Sequence, residues 1–394
     1  MTLKEELEIL RGEPIEVYEG DPLDIPCVET SDSERLCKHP VVSVHMLAYN
    51  HEPYIRQAIE GVMMQKTDFE FELVIGEDCS QDKTREICFE YQKKYPDKIR
   101  VLWWYENVSK LGGNGFRTTA HCRGEFVAFC EGDDYWIDPL KLQKQVDVMR
   151  HNPSVTLVFT GAKTLNDESG AFSIWNKDRD GFIPGFISGR QLQLWTSFGK
   201  SPPMPRSGSM FVMTCTMMYR AASRQKASKM FDINRWRLAI GDAVLLLSMA
   251  GLGDAYYLED ITGVYRRTRT GASNTNTSNC AIDTRLARMY FANKVLGLKL
   301  TDVTAEFLDT FYEHLLLKSV KKGAAEQRKY IRSLMHCKSV RLSFTRFIAW
   351  PGLICLWLGI VNMFVFRVLI WVHKRVRYEW CARAVMDEYA CKSK

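Results

Sequence analysis

One short stretch of the chain has residue types and spacing suited to binding a metal ion. The apolar run Glu125–Phe129 has the length and β-propensity of a buried strand, and the acidic sequence Glu131–Asp134 follows it closely. Ligands of an open α/β sheet lie beyond the carboxyl ends of its strands, where an acidic cluster would repel anions unless a divalent cation is held between them. Mg²⁺ and similar hard cations bind carboxylates and bridge them to substrate phosphates. The stretch therefore predicts a cation site for a phosphorylated substrate.

The same residues have a second interpretation that local sequence leaves open. Glutamate, glycine and aspartate are common in solvated turns, and an acidic turn often does no more than begin the next helix. That helix is predicted over Leu140–Met149, with Asp138 as its N-cap and Pro139 at its first position. The segments that precede the strand favour the functional interpretation.

Two earlier strand ends also carry side chains that suit nucleotide binding. The first predicted strand leads into Ala48–His51 and the second into Gly76–Ser80. The ring of Tyr49 is suited to stacking on a base, and a carboxylate at Asp78 is suited to accepting a base imide N–H. Each strand end alone is typical of a turn, but three of them at one edge of a sheet indicate a nucleotide-sized pocket.

The strands that must position these ends alternate regularly with helices. This alternation predicts an α/β fold with a mostly parallel sheet and right-handed crossovers. A further strand is predicted over Met210–Tyr219, after an irregular stretch at residues 163–209 that is rich in Gly, Ser and Pro. The predicted strands are Val41–Leu47, Phe71–Ile75 and Ile99–Trp103, and the predicted helices are Tyr54–Gln65 and Thr84–Tyr95.

Four segments in this order resemble the family 2 glycosyltransferases of GT-A fold. They are Ser43–Asn50, Glu72–Asp82, Gly124–Trp136 and Asp138–Val146, and the likeness is close over residues 41–162 and looser over 210–270. The resemblance implies a Rossmann-like sheet flanked by helices. It also implies sugar transfer from a nucleoside-diphosphate sugar with Mn²⁺ or Mg²⁺ as cofactor.

The same resemblance implies roles for individual residues. Glu131 and Asp133 match the outer positions of the family's DxD motif, and Asp133 or Asp134 would bind the metal on the donor diphosphate. Two positions depart from the family, because Phe116 stands where many members have Asn and Thr268 stands where many have His. The residues implied to bind the nucleotide sugar are Leu47, Tyr49, Glu77, Asp78, Asn114, Glu131, Asp133 and Arg266.

A second acidic motif of the family is matched at Ile240–Leu247, followed downstream by Tyr265 and Arg266. The resemblance makes Asp242 the candidate general base. Inverting transfer needs a carboxylate opposite the leaving diphosphate, where it takes the acceptor proton as the anomeric carbon becomes oxocarbenium-like. The local sequence equally allows Asp242 to cap a helix at residues 243–250.

Composition narrows the classes of partner. The 394 residues, 46% of them apolar, are enough for one large domain or two, and the net charge of +6 is mild. The aromatic-rich signatures of RNA-binding modules and basic recognition helices are not visible, which argues against a nucleic acid partner. The twelve cysteines are scattered, with no close pair at zinc-ligand spacing, and the N-terminus does not resemble a signal peptide. We therefore expect a reducing, cytosolic setting for the main body.

The C-terminal part of the chain has the composition of a membrane-associating segment. Residues 347–366 form a run of twenty without a charge, long enough as a helix to cross a bilayer, and tryptophans and basic residues flank it. From residue 321 onward there are fifteen Lys and Arg against four Asp and Glu, which favours an anionic membrane surface. A buried core helix is the alternative. The predicted regions are an N-terminal extension at 1–39, a catalytic domain at 40–275, a helical region at 276–340, a membrane-associating segment at 341–378 and a tail at 379–394.

Together these features predict a metal-dependent, inverting glycosyltransferase on the cytoplasmic face of a bacterial cell membrane. Its expected donor is a nucleoside-diphosphate sugar, and its expected acceptor is a glycan or a lipid-linked glycan of a surface polysaccharide. A non-catalytic nucleotide-sugar-binding assembly protein of the same fold is one alternative. A nucleotidyltransferase is another, although no Gly-rich triphosphate loop follows the first strand.

Overall fold

The computed structural model describes residues 1–18, 24–109, 113–175, 184–198, 212–269 and 277–300, together with residues 329 and 333. Glu16–Cys280 form one compact unit, and Met1–Ile15 belong to a second unit with the residues from Ala281 onward. Every site residue predicted from the sequence lies in the first of these units.

All eleven described strands belong to one sheet in the unit Glu16–Cys280. They are β1 (Val28–Thr30), β2 (Val42–Ala48), β3 (Phe71–Glu77), β4 (Ile99–Trp103), β5 (Phe126–Phe129), β6 (Tyr135–Trp136), β7 (Val155–Asn166), β8 (Phe172–Trp175), β9 (Gly185–Ile187), β10 (Met218–Arg220) and β11 (Asp254–Arg267). Across the sheet their order is β1-β4-β3-β2-β5-β10-β7-β11-β6, with β8 paired to β7 and β9 paired to β11.

The part of the sheet formed by β4, β3, β2 and β5 is parallel, as the alternation of strands and helices predicts. Every residue of β3 is buried, and in β2 only Leu47 is partly exposed, as expected for strands covered on both faces. Because the strands are parallel, the carboxyl ends of β2, β3 and β5 lie at the same edge. The three strand ends singled out in the sequence therefore meet there.

The prediction of a mostly parallel sheet holds only in a coarser form, because the sheet as a whole is mixed. Four pairs of described strands are parallel and six are antiparallel. The parallel order changes at β10, which lies between β5 and β7 and runs antiparallel to both. The strand predicted over Met210–Tyr219 is also shorter, because a 3-10 turn over Thr214–Thr216 precedes β10. Hydrophobic periodicity indicates that a strand is present but carries no information about its direction.

Helices pack on both faces of the parallel strands. The helices of the described residues, in both units, are α1 (Leu3–Arg11), α2 (Ile55–Met63), α3 (Thr84–Lys94), α4 (Gly113–His121), α5 (Lys141–His151), α6 (Gly189–Phe198), α7 (Ala221–Met230), α8 (Gly241–Leu252) and α9 (Thr277–Lys294). The main core joins Val44 and Met46 of β2 to Ile59 of α2 and Val146 of α5, all fully buried. Burying one such side chain contributes about 1.5–3 kcal/mol. Alternate strand residues point the other way, and Val74 of β3 belongs to a second, smaller cluster.

Helix α5 begins later than the sequence predicts. Its N-cap is Leu140, which makes no side-chain cap. The predicted N-cap, Asp138, instead closes the preceding turn, where its Oδ1 accepts a hydrogen bond from the Leu140 N–H at 2.9 Å. Asp138 also pairs with Lys144 at 2.8 Å. The prediction placed the helix start too early because Asp138 and Pro139 form the turn that leads into it.

Within the second unit, α1 begins with a capping box in which Thr2 and Glu5 each bond to the other's backbone N–H. It ends at Gly12 in the left-handed region, with φ of 73°, a conformation that favours glycine. Arg11 pairs with Asp283 at 2.9 Å. Among the described helices, none combines the length and the apolar character needed to cross a bilayer. The predicted membrane-associating segment at 341–378 lies outside the described residues.

Candidate active site

The ends of β2 and β3 turn through left-handed residues and bond to each other. Asn50 and Cys79 have φ of 54° and 59°, a conformation that is uncommon for residues other than glycine and asparagine. The Gln81 N–H donates to Asn50 Oδ1 at 2.8 Å, and the Asn50 N–H donates to Ser80 Oγ at 3.0 Å. These bonds fix the first two strand ends beside each other. Tyr49, just before this turn, is left 42% exposed.

The two carboxylates at the end of β3 are fully buried and bound by protein donors. Glu77 forms an ion pair with Arg85. Asp78 accepts hydrogen bonds from the Val108 N–H at 2.8 Å, from the Ser109 N–H at 3.1 Å and from the Ser109 hydroxyl. The pair therefore holds the segment after β4 against this edge of the sheet. A contact of either carboxylate with a nucleobase stays a prediction.

Two hydrogen bonds with Leu47 attach the acidic turn after β5 to the end of β2. The Gly132 N–H donates to the Leu47 carbonyl at 2.9 Å, and the Leu47 N–H donates to Glu131 Oε2 at 3.4 Å. No side chain fits at Gly132, because a Cβ there would lie 2.6 Å from Nδ1 of His51 and 2.9 Å from the Leu47 oxygen. The absence of a side chain at Gly132 therefore allows Glu131 and Asp133 to lie close to β2.

The carboxyl groups of this turn are crowded together and disfavour one another's charged forms. Burial, followed by the charges of Asp133 and Asp242, raises the pKa of Glu131 to about 8, although the Leu47 N–H opposes the shift. Burial and the charge of Asp133 also raise the pKa of Asp134 well above its usual range. The carboxylate of Asp133 itself has no hydrogen bond or ion pair within the described ranges. A divalent cation beside Asp133 would relieve this repulsion.

Asp242 comes from a distant part of the chain but lies close enough for its charge to act on Glu131. It is the second residue of α8, and the N-cap of that helix is Ile240. Asp242 is therefore not the N-cap, which was the alternative that the local sequence allowed. Its Oδ1 accepts a hydrogen bond from the Ala243 N–H at 2.8 Å. A helix N-terminus favours the charged carboxylate. Burial outweighs that effect and raises the pKa of Asp242.

Arg266, near the end of β11, contacts the acidic turn twice. Its backbone N–H donates to Asp134 Oδ1 at 2.8 Å, and its side-chain Nε donates to the Asp133 carbonyl at 2.9 Å. Only 9% of the residue is exposed. The structure therefore joins Arg266 to Asp133 and Asp134 through contacts made inside the protein. Its contact with the nucleotide sugar stays a prediction.

Asn114 lies within the fold rather than at the acidic turn. It is buried at the start of α4, where its Nδ2 donates to the Gly76 carbonyl at 3.2 Å and its Oδ1 accepts from the Thr118 hydroxyl at 3.2 Å. Of the two departures from the family, Phe116 packs edge-on against Tyr18 with ring centroids 5.4 Å apart, and Thr268 is buried. The structure thus brings Leu47, Glu131, Asp133, Asp134, Asp242 and Arg266 together.

Sequence reasoning missed four residues that contact this group. His51 lies against the turn, where burial lowers the pKa of its imidazole while the charges of Asp133 and Asp82 oppose the shift. Its place directly after the first strand end was a usable signal. Tyr54, Gln57 and Asp167 surround the Arg266 side chain. These three had no local signal, because only the folded chain brings them to Arg266.

The acidic turn fits a hard cation that is held partly by its substrate. Within the described residues there is no group of three or more His, Cys, Asp or Glu side chains able to hold a metal alone. Mg²⁺ commonly uses one or two carboxylates and completes its shell with waters and substrate phosphates. Asp133 is partly exposed and has no described side-chain partner, whereas Asp134 is 1% exposed and bonded to the Arg266 N–H. Asp133 therefore fits the ligand role better than Asp134.

These features define a class of α/β proteins in which an acidic turn lies at the carboxyl edge of parallel strands, beside a second carboxylate from a later helix. Residues 43–223 match the model of glycosyl transferase family 2. This segment of the chain is therefore similar to family 2 glycosyltransferases, which confirms the resemblance found in its motifs. The match extends beyond the parallel strands to β10 and the start of α7.

Individual relatives agree with this family. A Mycobacterium tuberculosis protein of unassigned function is 36% identical over 142 residues, which is 35% of this chain and 41% of the relative. TuaG of Bacillus subtilis, named as a teichuronic acid biosynthesis glycosyltransferase, is 34% identical over 122 residues, which is 31% of this chain and 46% of TuaG. Both matches cover less than half of the relative.

A solved structure with the same fold is S. aureus TarS 1–349 in complex with UDP-GlcNAc. The TM-score is 0.55 at 19% identity, over 76% of this chain and 82% of that chain. At this identity the likeness shows the fold alone. The predicted fold is thus confirmed in a coarser form, as a mixed sheet flanked by helices.

Proposed function

We propose that this protein is a metal-dependent glycosyltransferase that moves a sugar from a nucleoside-diphosphate sugar to a glycan or lipid-linked acceptor. The observation that carries the proposal is the convergence of carboxylates at one sheet edge. Asp133 has no described side-chain partner, and Glu131 lies within electrostatic reach of both Asp133 and Asp242. Glycosyl transfer uses one carboxylate to hold a cation on the diphosphate and another to activate the acceptor. The family 2 match over residues 43–223 supports this assignment.

Asp133 is the residue that would hold Mn²⁺ or Mg²⁺. When bound, such a cation neutralises the charge that develops on the departing diphosphate. Burial raises the pKa of Glu131, and the charge of Asp133 adds to this shift, which is consistent with a charged Asp133 beside it. Asp134 would join as a ligand only if its hydrogen bond to the Arg266 N–H opened.

Asp242 accepts the proton of the acceptor hydroxyl in this proposal. Burial raises the pKa of Asp242, which makes its carboxylate a stronger base than an exposed aspartate. As the proton moves to Asp242, the acceptor oxygen bonds to the anomeric carbon and the bond from that carbon to the diphosphate oxygen breaks. Attack from the face opposite the diphosphate inverts the configuration.

Tyr49 supports a nucleotide as the leaving part of the donor. Its ring is 42% exposed at the edge where the segments after β2 and β3 are bonded together. An exposed aromatic ring in such a place is suited to stacking on a base. TarS, which shares the fold, has been solved with UDP and with UDP-GlcNAc. We therefore propose a nucleoside-diphosphate sugar as the donor class.

The acceptor and the location are proposed from the relatives and from composition. TuaG is named for teichuronic acid biosynthesis. The apolar and basic sequence of residues 341–378 favours association with an anionic membrane. A lipid-linked glycan at the cytoplasmic face of a bacterial membrane meets both conditions.

A donor panel tests the proposal directly. The full chain is incubated with UDP-, GDP- and TDP-sugars, and release of the nucleoside diphosphate is measured with Mn²⁺, with Mg²⁺ and with EDTA. We expect release from one class of donor, its loss in EDTA and its recovery when either metal is restored. Asp242→Asn should lower kcat for transfer by about 10²–10⁴-fold while binding of the diphosphate is kept. Asp97→Asn, at an exposed aspartate, is the matched control.

Two outcomes would overturn this assignment. Tight binding of the nucleotide sugar without release from any donor, with or without metal, would favour the non-catalytic assembly protein. Release of pyrophosphate from nucleoside triphosphates would favour a nucleotidyltransferase.

A further inference from the structure

The side chain of Arg266 is almost completely enclosed by protein. Its three guanidinium nitrogens each have a partner: Nε donates to the Asp133 carbonyl at 2.9 Å, one terminal nitrogen donates to Gln57 Oε1 at 2.7 Å, and the other lies 3.7 Å from Asp167. The guanidinium carbon also lies 4.6 Å from the ring centre of Tyr54 and 5.2 Å from that of Tyr135. An arginine that contacts a diphosphate directly needs an N–H edge turned toward the ligand. Here two of the three nitrogens donate hydrogen bonds to protein atoms, the third lies at ion-pair distance from Asp167, and only 9% of the residue is exposed.

The two contacts of Arg266 with the acidic turn lie on consecutive residues. The guanidinium binds the carbonyl of Asp133, while the backbone N–H of Arg266 binds the side chain of Asp134. Together they fix the orientation of the peptide between Asp133 and Asp134. The direction in which the Asp133 carboxylate leaves the backbone follows from that orientation.

The supports of Arg266 come from two other elements and are joined to each other. Gln57 and Tyr54 lie in and just before α2, and Asp167 follows β7. The Tyr54 hydroxyl donates to Asp167 Oδ2 at 2.6 Å, which closes a ring of contacts around the guanidinium. A planar guanidinium with donors on three nitrogens reaches all of these partners at once, whereas a lysine ammonium is a single point charge.

We infer that Arg266 is a positioning residue that aims the carboxylate of Asp133, and that Gln57, Tyr54 and Asp167 hold Arg266 in place for this purpose. The inference rests on the proposed function for what Asp133 binds. It replaces direct contact between Arg266 and the donor diphosphate as the role of this arginine. Groups that orient metal ligands typically change metal affinity by 10–100-fold when they are removed.

Binding of Mn²⁺ tests the inference without relying on turnover. The full chain is titrated with Mn²⁺ in the presence of UDP, and free Mn²⁺ is followed by its electron paramagnetic resonance signal. For Arg266→Lys we expect the dissociation constant for Mn²⁺ to rise about 10-fold or more. In donor turnover at saturating Mn²⁺, kcat should fall while KM for the donor changes by less than about threefold. Arg56→Ala, at an exposed arginine of α2, should leave the Mn²⁺ titration unchanged.

Two milder variants keep the test valid if Arg266→Lys does not fold. Tyr54→Phe removes only the hydroxyl that binds Asp167, and Asp167→Asn removes the charge beside the guanidinium. Each should weaken Mn²⁺ binding by about two- to fivefold, because Arg266 keeps its other partners. Unchanged Mn²⁺ binding in all three variants would refute the inference. So would a 10-fold rise in donor KM for Arg266→Lys at unchanged Mn²⁺ affinity, which is the signature of a direct diphosphate contact.

The wild-type chain and Asp133→Ala separate this inference from the proposed function. Mn²⁺ binding by the wild type that is lost in Asp133→Ala upholds the metal role, and the Arg266 variants then decide the inference alone. If the wild type binds no Mn²⁺ with UDP, the metal role fails and the inference fails with it.

Discussion

Two acidic strand ends of this protein look alike in sequence and differ in their surroundings. After β3, Glu77 is paired with Arg85, and Asp78 accepts hydrogen bonds from the segment after β4. After β5, the carboxylate of Asp133 has no described partner, and the pKa of Glu131 is raised to about 8. The first end is electrostatically satisfied by the protein. The second is not, and in the proposed function a cation from outside balances its charge.

The comparison indicates how a carboxylate that stabilises the fold can be distinguished from one that serves the function. A buried carboxylate whose oxygens are all bonded is compensated by its partners, and removing one of those partners destabilises the fold. Carboxylates that repel one another destabilise the fold, and such an arrangement persists in proteins where function requires it. Substitutions at the two ends should therefore have opposite consequences for stability and for activity.

The largest effect is expected for Asp133→Asn. Glycosyl transfer should fall by at least about 1000-fold, because the residue that would hold the cation is lost, while the free energy of unfolding stays the same or rises as repulsion with Glu131 is relieved. Diphosphate release and chemical denaturation measure the two quantities. The exposed Asp68→Asn serves as the control. Near-normal turnover of Asp133→Asn would remove the distinction between the two strand ends.

Glu77→Gln should show the reverse pattern. Removing one partner of a buried ion pair leaves Arg85 without its counter-charge, which costs about 3 kcal/mol of unfolding free energy. Residual activity per folded molecule should change far less than in Asp133→Asn. Urea denaturation of Glu77→Gln, Arg85→Gln and the double variant isolates the pair, and Glu90→Gln in the exposed pair with Arg56 is the control. A stable but inactive Glu77→Gln would show that this carboxylate acts on the substrate.

His45 is a buried histidine of β2, the strand that lies between β3 and β5, and its protonation makes stability depend on pH. Burial, with a smaller contribution from Arg224, lowers the pKa of His45 to about 4, although the Gly115 carbonyl opposes the shift. The unfolded chain takes up this proton near pH 6.5 and the folded protein only near pH 4, so stability is lost as pH falls through that range. The contribution of His45 is about 3 kcal/mol at most.

The measurement is the free energy of unfolding between pH 7 and pH 4. His45→Gln should flatten this dependence, whereas His151→Gln, at an exposed histidine, should not. Equal slopes in wild type and His45→Gln would mean that the ring takes up its proton at the same pH in the folded and unfolded states.

The smallest effect is expected at Gly132. A Cβ there would lie 2.6 Å from Nδ1 of His51 and 2.9 Å from the Leu47 oxygen, so Gly132→Ala must move the acidic turn. We expect a loss of about 1–2 kcal/mol in unfolding free energy together with weaker Mn²⁺ binding. Gly241→Ala has open space around the added methyl group and should not destabilise the protein. Tight Mn²⁺ binding by Gly132→Ala would show that the turn tolerates the shift.

Much of the parallel sheet could be predicted from local patterns. The predicted strands that became β2, β3 and β4 end within two residues of the observed bounds, and Ile99–Trp103 agrees at both ends. Buried parallel strands are continuous apolar runs, and the helices between them have an apolar stripe, so their own residues identify them. The start of α5 and the direction of β10 could not be obtained in this way, because each depends on partners outside the local window.

The sequence by itself determined which side chains stand at the strand ends and that Gly132 separates Glu131 from Asp133. Only the tertiary structure decided what each carboxylate meets. In the folded chain Asp78 accepts hydrogen bonds from the segment after β4, and Asp242 lies close enough to Glu131 to act on its pKa. Arg266 is buried, and it contacts Asp133, which is 133 residues away along the chain. The physical reason is that periodicity and turn composition depend on neighbours along the chain. Ion pairing and burial instead depend on neighbours in space, which the chain acquires only when it folds.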